Sequence, residues 1–390
     1  MSSVKRVLIT IAILICLLVS LVEIKATFEF FLETKIEEDN YIHAKEIVIK
    51  KEEVKLIKEN DQIDFRGIDF YPEPYPYSTL EAFNALENLL KVQGVNYIQL
   101  RIFLYQESLT SSQVIYDERQ DIVLESMIAM IHQAGKKVSL LPDIIVETGE
   151  YVASLNPEDI NQWFTSYGDA LIRYANLAEA YGAELYCIGN EFHSLWSENQ
   201  RWRRLIYKIR EQYRGLITAK LNCWWQEITF KRTLTLDWLE DLDYISMAPY
   251  FDLTKQHEPN LKDIERAWFE SRHSNQNIVY QLETIAKTFN KRMIFTEIGY
   301  RSTEGATMEP WNSEFKVPRG ERGRAVYSSE EQNLATQALF NVFEKQDWWA
   351  GVFWFYWPTA EPIENDCTWA IWNKPVETVI QNNFTNQGED

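Results

Sequence analysis

The sequence predicts an α/β protein whose main domain is a (β/α)8 TIM barrel, preceded by an N-terminal membrane segment and a short stalk. Apolar β-type runs alternate with segments of helical periodicity over roughly 300 residues, which is the length typical of this fold. Eight such runs occur, at residues 63–70, 95–104, 137–142, 184–189, 216–221, 243–248, 292–296 and 351–356. An open doubly wound sheet is the alternative, but no glycine-rich phosphate motif follows the first run.

Three regions divide the chain. They are a transmembrane anchor or signal segment over 1–26, a charged stalk over 27–60 and the barrel over 61–385. Residues 7–22 are almost continuously apolar and follow Lys5 and Arg6, so the positive-inside rule places the rest of the chain outside the cytoplasm. Because a clean cleavage site of small residues is missing, an uncleaved anchor is favoured over a signal peptide. We expect an extracytoplasmic, membrane-anchored protein, secreted if the segment is cleaved.

Most of the intervening segments carry apolar residues at three- and four-residue spacing, the pattern of amphipathic helices. Helices are predicted over residues 78–92, 117–134 and 157–181, with a short one over 235–241. Asn156 is placed to cap the third helix and Pro157 to occupy its first turn. Gly94, Gly135 and Gly182 follow the three long segments, where glycine commonly ends a helix.

Composition and charge exclude several classes of protein. The chain has 58 acidic and 39 basic residues and a net charge of −19, which opposes nucleic-acid binding and broad adhesion to an anionic membrane. We therefore expect no nucleic-acid partner, and membrane contact through the N-terminal segment only. A neutral polysaccharide tolerates this charge. The 14 Trp, 20 Tyr and 20 Phe supply core residues and also candidates for stacking on sugar faces.

Cysteine and histidine usage predicts neither a disulfide framework nor a metal site. One of the four cysteines, Cys16, falls in the membrane segment, and the other three allow at most one internal disulfide. No Cys/His spacing is typical of metal ligation, so we expect no metal and no cofactor. The sequence leaves the oligomeric state open.

Two glutamates carry the functional hypothesis. Glu191 ends the fourth predicted strand and Glu297 the seventh. Parallel barrel strands present their carboxyl ends at one mouth, and these two strands lie about half a ring apart, so the side chains can face each other. Retaining glycoside hydrolysis requires such a pair, one as general acid and one as nucleophile. Asn190 adds an amide that can bond a sugar hydroxyl beside the reacting carbon.

Polar side chains also end other predicted strands. Arg101, on strand two, is expected to hold Glu297 ionised and oriented, and the alternative is an ordinary structural ion pair. Asp69 and Asp143, at the ends of strands one and three, are candidates to bind sugar hydroxyls, and the alternative is a pair of solvated loop acids. Trp224 follows strand five, beside a second tryptophan, and one of the two is expected to face the cleft.

The residues around the two glutamates resemble the signature of the clan A glycoside hydrolases, and most closely that of family 113, whose characterised members are β-mannanases. The strings are Gly67-Ile68-Asp69-Phe70, Ile188-Gly189-Asn190-Glu191-Phe192 and Thr296-Glu297-Ile298-Gly299-Tyr300, and the resemblance covers about residues 63–380. It implies a (β/α)8 fold and retaining hydrolysis, with Glu191 as acid/base and Glu297 as nucleophile.

The resemblance also implies roles for residues on two further strands. Tyr250, after strand six, is expected to donate its hydroxyl to Glu297, with a core aromatic as the alternative. Trp354, on strand eight, is expected to form the floor of the subsite that holds the scissile sugar. The predicted substrate-binding set is therefore Asn190, Trp354, Tyr250, Arg101, Trp224 and Asp69.

The predicted function is a retaining O-glycosyl hydrolase that cleaves a β-linked polysaccharide or oligosaccharide, of β-mannan type by resemblance. One alternative is a transglycosylase of envelope or exopolysaccharide assembly that uses the same glutamates. The other is a non-catalytic carbohydrate-binding scaffold on the same barrel. The sequence does not distinguish endo from exo action.

Overall fold

The computed structural model describes residues 65–72, 80–224, 226–271, 276–312 and 325–386. The predicted membrane segment (1–26) and stalk (27–60) lie outside these ranges. Within them, no helix has the length and apolar character needed to cross a bilayer.

The strands of the described chain form one sheet that closes into a barrel. They are β1 (Phe65–Tyr71), β2 (Tyr97–Gln106), β3 (Ile115–Tyr116), β4 (Lys137–Val146), β5 (Leu185–Asn190), β6 (Leu216–Asn222), β7 (Ile245–Ala248), β8 (Met293–Ile298) and β9 (Trp349–Pro358). The order is β1-β9-β8-β7-β6-β5-β4-β2-β3, and a β1–β2 pairing closes the ring. Only β3 pairs antiparallel, so the other eight strands form the predicted parallel barrel, and each overlaps one predicted run.

Helices connect the strands on the outside of the barrel. Those described are α1 (Leu80–Leu89), α2 (Arg119–Gln133), α3 (Ile160–Tyr181), α4 (Asn199–Arg210), α5 (Glu227–Thr233), α6 (Leu261–Phe269), α7 (Ile278–Phe289), α8 (Ser329–Phe343) and α9 (Pro375–Asn386). Two 3-10 turns, Val152–Ser154 and Asp237–Asp241, complete the set. The helix predicted over 235–241 is thus only a 3-10 turn, and α5 precedes it.

The caps of the long helix α3 correct one prediction and confirm another. Asp159, not Asn156, is the N-cap, because its carboxylate accepts the backbone N–H groups of Asn161 and Gln162 at 2.9 and 3.1 Å. At the other end Gly182 has a left-handed φ of 75°, the conformation that a helix stop requires.

Apolar side chains fill the amino-terminal end of the barrel interior. The members of this cluster are Phe65, Tyr97, Leu185, Ile294, Ala350 and Phe353. Gly67 is required beside them, since a Cβ at this position would lie 2.2 Å from the Phe353 ring. Phe65 also contacts Tyr244 across the barrel at 5.1 Å between ring centroids. This layer closes the bottom of the barrel, so polar side chains have room only toward the carboxyl ends of the strands.

Candidate active site

The carboxyl ends of the barrel strands bring the predicted site residues together. Glu297 lies in β8, Arg101 in β2 and Tyr250 two residues beyond β7, yet the three side chains meet in the mouth of the barrel. Glu191 follows β5 directly and lies near enough for the Glu297 charge to raise its pKa. Both predicted strand ends therefore converge on one opening.

Glu297 is held by three donors that treat its two oxygens differently. Oε2 accepts a hydrogen bond from Arg101 Nη2 at 2.8 Å and another from Lys220 Nζ at 2.5 Å. Oε1 accepts a longer bond from the Tyr250 hydroxyl, at 3.3 Å. Charge-assisted hydrogen bonds are the stronger kind, so the carboxylate is anchored through Oε2 while Oε1 is lightly bound.

The charges around Glu297 keep it ionised. The residue is 8% exposed, and burial alone raises the pKa of a carboxyl group. The Lys220 ammonium and the Arg101 guanidinium outweigh that effect and lower the pKa of Glu297 to about 2. A permanently charged carboxylate with one weakly bound oxygen has the properties of a nucleophile.

A β-bulge turns Glu297 into the barrel. In the β8–β9 ladder, Phe295 and Ile298 pair with Val352 and Trp354, which is three steps along β8 against two along β9. An extra residue of this kind re-aims the side chains beside it. Strict alternation would send residue 297 to the same side as Phe295, which packs on the helices, so the bulge decides the direction of the carboxylate.

Glu191 is directed by the same device and by a special backbone conformation. Cys187 pairs with Thr218 and Asn190 with Lys220, so β5 advances by three residues where β6 advances by two. β5 therefore has a bulge just before Glu191. Glu191 then takes a left-handed φ of 60°, uncommon for a side chain with a Cβ and costing on the order of 1 kcal/mol. Its N–H donates to the Lys220 carbonyl at 2.9 Å, which ties the turn to β6.

The surroundings of Glu191 favour its protonated form. Burial raises its pKa most, and the nearby Glu297 carboxylate raises it further. The Lys220 ammonium and a hydrogen bond from Tyr151 oppose this effect without cancelling it, and the pKa of Glu191 lies at about 7. A carboxylic acid that is protonated near neutral pH can serve as a general acid.

Arg101 connects Glu297 to two aspartates. Its Nε and Nη2 donate to the two oxygens of Asp69, the first at 3.2 Å, and its Nη1 donates to Asp143 Oδ2 at 2.6 Å. The guanidinium also lies over the Tyr71 ring, 4.5 Å from the centroid. Asp69 is 0% exposed, and both of its oxygens are taken by Arg101. The prediction that Asp69 binds substrate is therefore wrong, because it orients Arg101 instead.

Asn190 has one free acceptor at the mouth. Its Nδ2 donates to Asp143 Oδ1 at 2.8 Å, and because a carboxylate only accepts, this bond settles which end of the amide is nitrogen. The opposite atom, Oδ1, is buried and has no hydrogen-bond partner among the described residues. A buried acceptor without a partner is unusual in a folded protein, and a ligand hydroxyl would satisfy it.

Trp354 does not face the mouth, which contradicts its predicted role. It is 1% exposed and packs on the Phe340 ring of α8, 5.5 Å between centroids. Its neighbour Phe353 belongs to the interior layer, so strand alternation places residue 354 on the helix side. The interior position nearest the mouth is Phe355, whose ring lies 5.4 Å from the Arg101 guanidinium.

Trp224 is also a packing residue, contrary to prediction. It is 1% exposed, its Nε1 donates to Gln281 of α7 at 2.8 Å, and its ring packs on Phe230 and Phe251. The neighbouring residue 225 lies outside the described ranges. The indole therefore joins the barrel to its outer helices.

A group of aromatic rings lines one side of the opening. Phe355 is its centre, with ring centroids 4.6 Å from Tyr356, 5.8 Å from Tyr71 and 6.1 Å from Trp369. All four side chains are partly exposed. Exposed aromatic faces beside a polar cluster suit the apolar face of a sugar ring.

Two residues of the site were missed from the sequence. Lys220 is fully buried in β6, and the sequence held a signal for it, because it is the one charged residue in the predicted strand 216–221. Tyr151, which bonds to Glu191 and accepts from Asn222 Nδ2 at 3.1 Å, lies in the segment between β4 and α3 and carried no sequence signal. Across the described ranges no group of His, Cys, Asp and Glu side chains could hold a metal ion.

Comparison with solved structures finds this barrel in glycosidases. A GH113 β-mannanase from Alicyclobacillus acidocaldarius, in complex with ManMIm, has a TM-score of 0.70 and 24% identity, over 84% of this chain and 98% of that chain. A GH113 β-1,4-mannanase gives 0.68 and 21%, over 84% and 99%. A β-glucuronidase from Ruminococcus gnavus gives 0.53 and 12%, over 83% and 50%. At these identities the likeness establishes the fold.

The sequence comparisons address the family directly. No curated protein sequence matches this chain. The profile of Glycoside Hydrolase Family 113 matches residues 70–371, a range that holds both glutamates and every barrel strand except most of β1. Because this range is more than half of the chain, the protein belongs to glycoside hydrolase family 113.

Proposed function

We propose that this glycoside hydrolase cleaves β-mannan-type chains with retention of configuration, by double displacement on Glu297 with Glu191 as acid/base. The main support for the proposal is that the pKa values of two carboxyl groups at one opening are shifted in opposite directions. The pKa of Glu191 is raised to about 7, and that of Glu297 is lowered to about 2. Pairs of titratable groups pushed apart in this way identify the acid and the nucleophile of an active site.

In the first step Glu297 Oε1 bonds to the anomeric carbon while the bond from that carbon to the glycosidic oxygen breaks. Glu191 gives its proton to the departing oxygen, so the leaving sugar is released as a neutral alcohol. Oε1 is the attacking atom, because Oε2 is committed to Arg101 and Lys220 whereas Oε1 has only the longer Tyr250 bond to give up.

In the second step water releases the sugar from the enzyme. Glu191, now a carboxylate, takes a proton from the water as its oxygen bonds to the anomeric carbon, and the bond to Glu297 Oε1 breaks. Glu191 is protonated again and Glu297 is again a carboxylate. Two inversions at one carbon leave the product with the configuration of the substrate.

Two features of the opening support a sugar substrate. The free Oδ1 of Asn190 can accept a hydroxyl next to the reacting carbon, where hydrogen bonds strengthen in the transition state. The aromatic rings around Phe355 supply an apolar platform on the same side as Arg101. The mannan assignment itself is drawn from the two GH113 mannanases of like fold, and the location outside the cytoplasm from residues 1–26.

Glycan hydrolysis by matched variants tests this proposal. Wild type, Glu297→Ala and the exposed control Glu87→Ala are compared on mannan, xylan, glucan and galactan oligosaccharides. We expect wild type and control to cleave mannan best and Glu297→Ala to be folded but inactive. A folded Glu297→Ala variant with full activity would falsify the assignment of the nucleophile.

Product analysis separates the alternatives. Proton NMR during hydrolysis should show the β-anomer first, as retention requires, whereas the α-anomer first would indicate an inverting mechanism. Products longer than the substrate would identify a transglycosylase. Binding to the panel with no turnover at all would identify a carbohydrate-binding scaffold.

A further inference from the structure

Lys220 is the least expected charge in the barrel. It lies in β6, is 0% exposed, and its neighbours Ala219 and Leu221 are buried apolar residues. Burying an ammonium group without compensation costs several kcal/mol, so a lysine in this place requires anionic partners. Its Nζ donates to Glu297 Oε2 at 2.5 Å.

Lys220 also serves the second glutamate. Its charge acts to lower the pKa of Glu191, and it is the largest such influence on that group. In return, Glu297 first and Glu191 second overcome the effect of burial and raise the pKa of Lys220. The main chain adds a physical link, because the Lys220 carbonyl accepts the Glu191 N–H at 2.9 Å. The ammonium group therefore bonds Glu297 directly, while the backbone of the same residue holds Glu191 beside it.

We propose, resting on the proposed double displacement, that Lys220 is a positioning residue that serves the two glutamates in turn. In the free enzyme its ammonium holds Glu297 as a carboxylate. When Glu297 becomes an ester it loses its negative charge, and the strongest partner of Lys220 disappears. The ammonium then stabilises the carboxylate of Glu191, which has just given up its proton and must act as a base.

The charge count supports this exchange. Before reaction Lys220 and Arg101 face the Glu297 carboxylate, and Arg101 is already committed to Asp69 and Asp143. After the ester forms, Arg101 still pairs with its two aspartates, whereas Lys220 has lost the carboxylate that it bonded among the described residues. At the same time Glu191 has become negative. Coulomb attraction at short range in a buried site then favours the Lys220–Glu191 pair.

The charged and titratable groups that interact with Lys220 come from four strands of the barrel. They are Glu297 of β8, Glu191 after β5, Arg101 of β2, Asp69 of β1 and Cys187 of β5. Burial raises the pKa of the Cys187 thiol to about 11, so this group is neutral in the working range. Arg101 is cationic throughout. The charge changes in the cycle are therefore confined to the two glutamates.

NMR titration tests the exchange without relying on turnover. The full chain is labelled with 13C at glutamate carboxyls and 15N at lysine amines, and wild type is compared with Lys220→Met and with the exposed control Lys231→Met. In free Lys220→Met we expect the pKa values of both Glu297 and Glu191 to rise by about one unit or more. Unchanged values for both glutamates in folded Lys220→Met would overturn the proposal.

The trapped ester tests the second half of the exchange. Reaction with 2-deoxy-2-fluoro-β-mannosyl fluoride should esterify Glu297 and lower the pKa of Glu191, and this drop should be smaller by about one unit in Lys220→Met. An equal drop in both proteins would show that Lys220 does not change partners. If wild type forms no ester and cleaves no glycan, the double displacement fails, while the free-enzyme titration still decides the role of Lys220 toward Glu297.

Kinetics separate this role from a purely structural one. With 2,4-dinitrophenyl β-mannobioside the first step needs little acid help, so Lys220→Met should lose about tenfold or more in kcat and less in kcat/KM. Lys220→Arg keeps the charge, and its pH profile should stay near that of wild type even if its rate falls. Equal losses in both parameters, with unshifted pH profiles in both variants, would indicate only a structural ion pair.

If Lys220→Met does not fold, the proposal is tested on the wild type by titrating the 15N signal of the Lys220 amine. Lys220 Nζ must remain protonated between about pH 4 and pH 9 in the free and in the trapped enzyme. A neutral amine in either state would overturn the proposal.

Discussion

Replacing Glu191 by glutamine should stabilise the protein at alkaline pH and leave its stability unchanged in mild acid. The folded-state pKa of Glu191 is about 7, against an ordinary value of 4.5. Below 4.5 the carboxyl is protonated in both folded and unfolded chains and contributes nothing. As pH rises from 4.5 through 7 the unfolded chain ionises first, so the folded state loses stability.

The size of the effect follows from the shift. At about 1.4 kcal/mol per pKa unit, the rise from 4.5 to about 7 corresponds to at most about 3.5 kcal/mol. Partial exposure of Glu191 lowers this figure through solvent screening, and we expect about 2 kcal/mol above pH 8. Glutamine has the same shape and can still accept the Tyr151 hydrogen bond, so the substitution removes the charge with little loss of packing.

Thermal and urea unfolding at about pH 8 and about pH 4.5 measure the difference. The control is Glu87→Gln on α1, whose side chain is 59% exposed and pairs with Lys91 at 3.2 Å. Such a surface pair is worth under about 1 kcal/mol, so the control should change stability little at either pH. A gain for Glu191→Gln that is equal at both pH values would refute the assignment of a buried, reluctantly ionised carboxyl.

Three further outcomes are expected. The kcat/KM of wild type should fall as pH rises through about 7, where Glu191 loses the proton that it donates; a profile flat to pH 9 would contradict this. Tyr250→Phe, which removes the 3.3 Å bond to Glu297, should lower kcat/KM about tenfold at an unchanged melting temperature. Trp354→Phe should cost about 1–3 kcal/mol of stability and leave KM within about twofold of wild type, whereas Phe355→Ala should raise KM. A raised KM in Trp354→Phe and an unchanged KM in Phe355→Ala would instead identify Trp354 as the residue that stacks on the sugar.

The barrel and its active end could be predicted because both depend on periodicity. Parallel strands buried on both faces appear in the sequence as continuous apolar runs, and all eight runs overlap a barrel strand. Since every parallel strand ends at the same mouth, the polar residues Arg101, Asn190, Glu191 and Glu297 could be assigned to one place without knowing a single contact. The helix caps were less predictable, because Asn156 and Asp159 are both good cap residues and only the local backbone chooses between them.

The direction of individual side chains was decided by tertiary structure. Alternation correctly groups residues 353 and 355 on one face and 354 on the other, but nothing in an all-aromatic run says which face is inside. That choice came from Phe353, which fits above Gly67 in the interior layer. Trp354 consequently faces the helices, and Phe355 is the aromatic residue of this strand that lies at the mouth.

Residue type and order along the chain were enough to predict the barrel, the end that holds the polar cluster and the two acids on which the proposed mechanism depends. The division of labour between those acids needed the assembled barrel. A bulge points Glu297 at Arg101 and Lys220, which arrive from distant parts of the chain, while Glu191 meets burial and a like charge. The reason is physical: a strand's periodicity is local, whereas the pKa of a carboxyl group depends on every charge and on every water molecule excluded within a few ångströms of it.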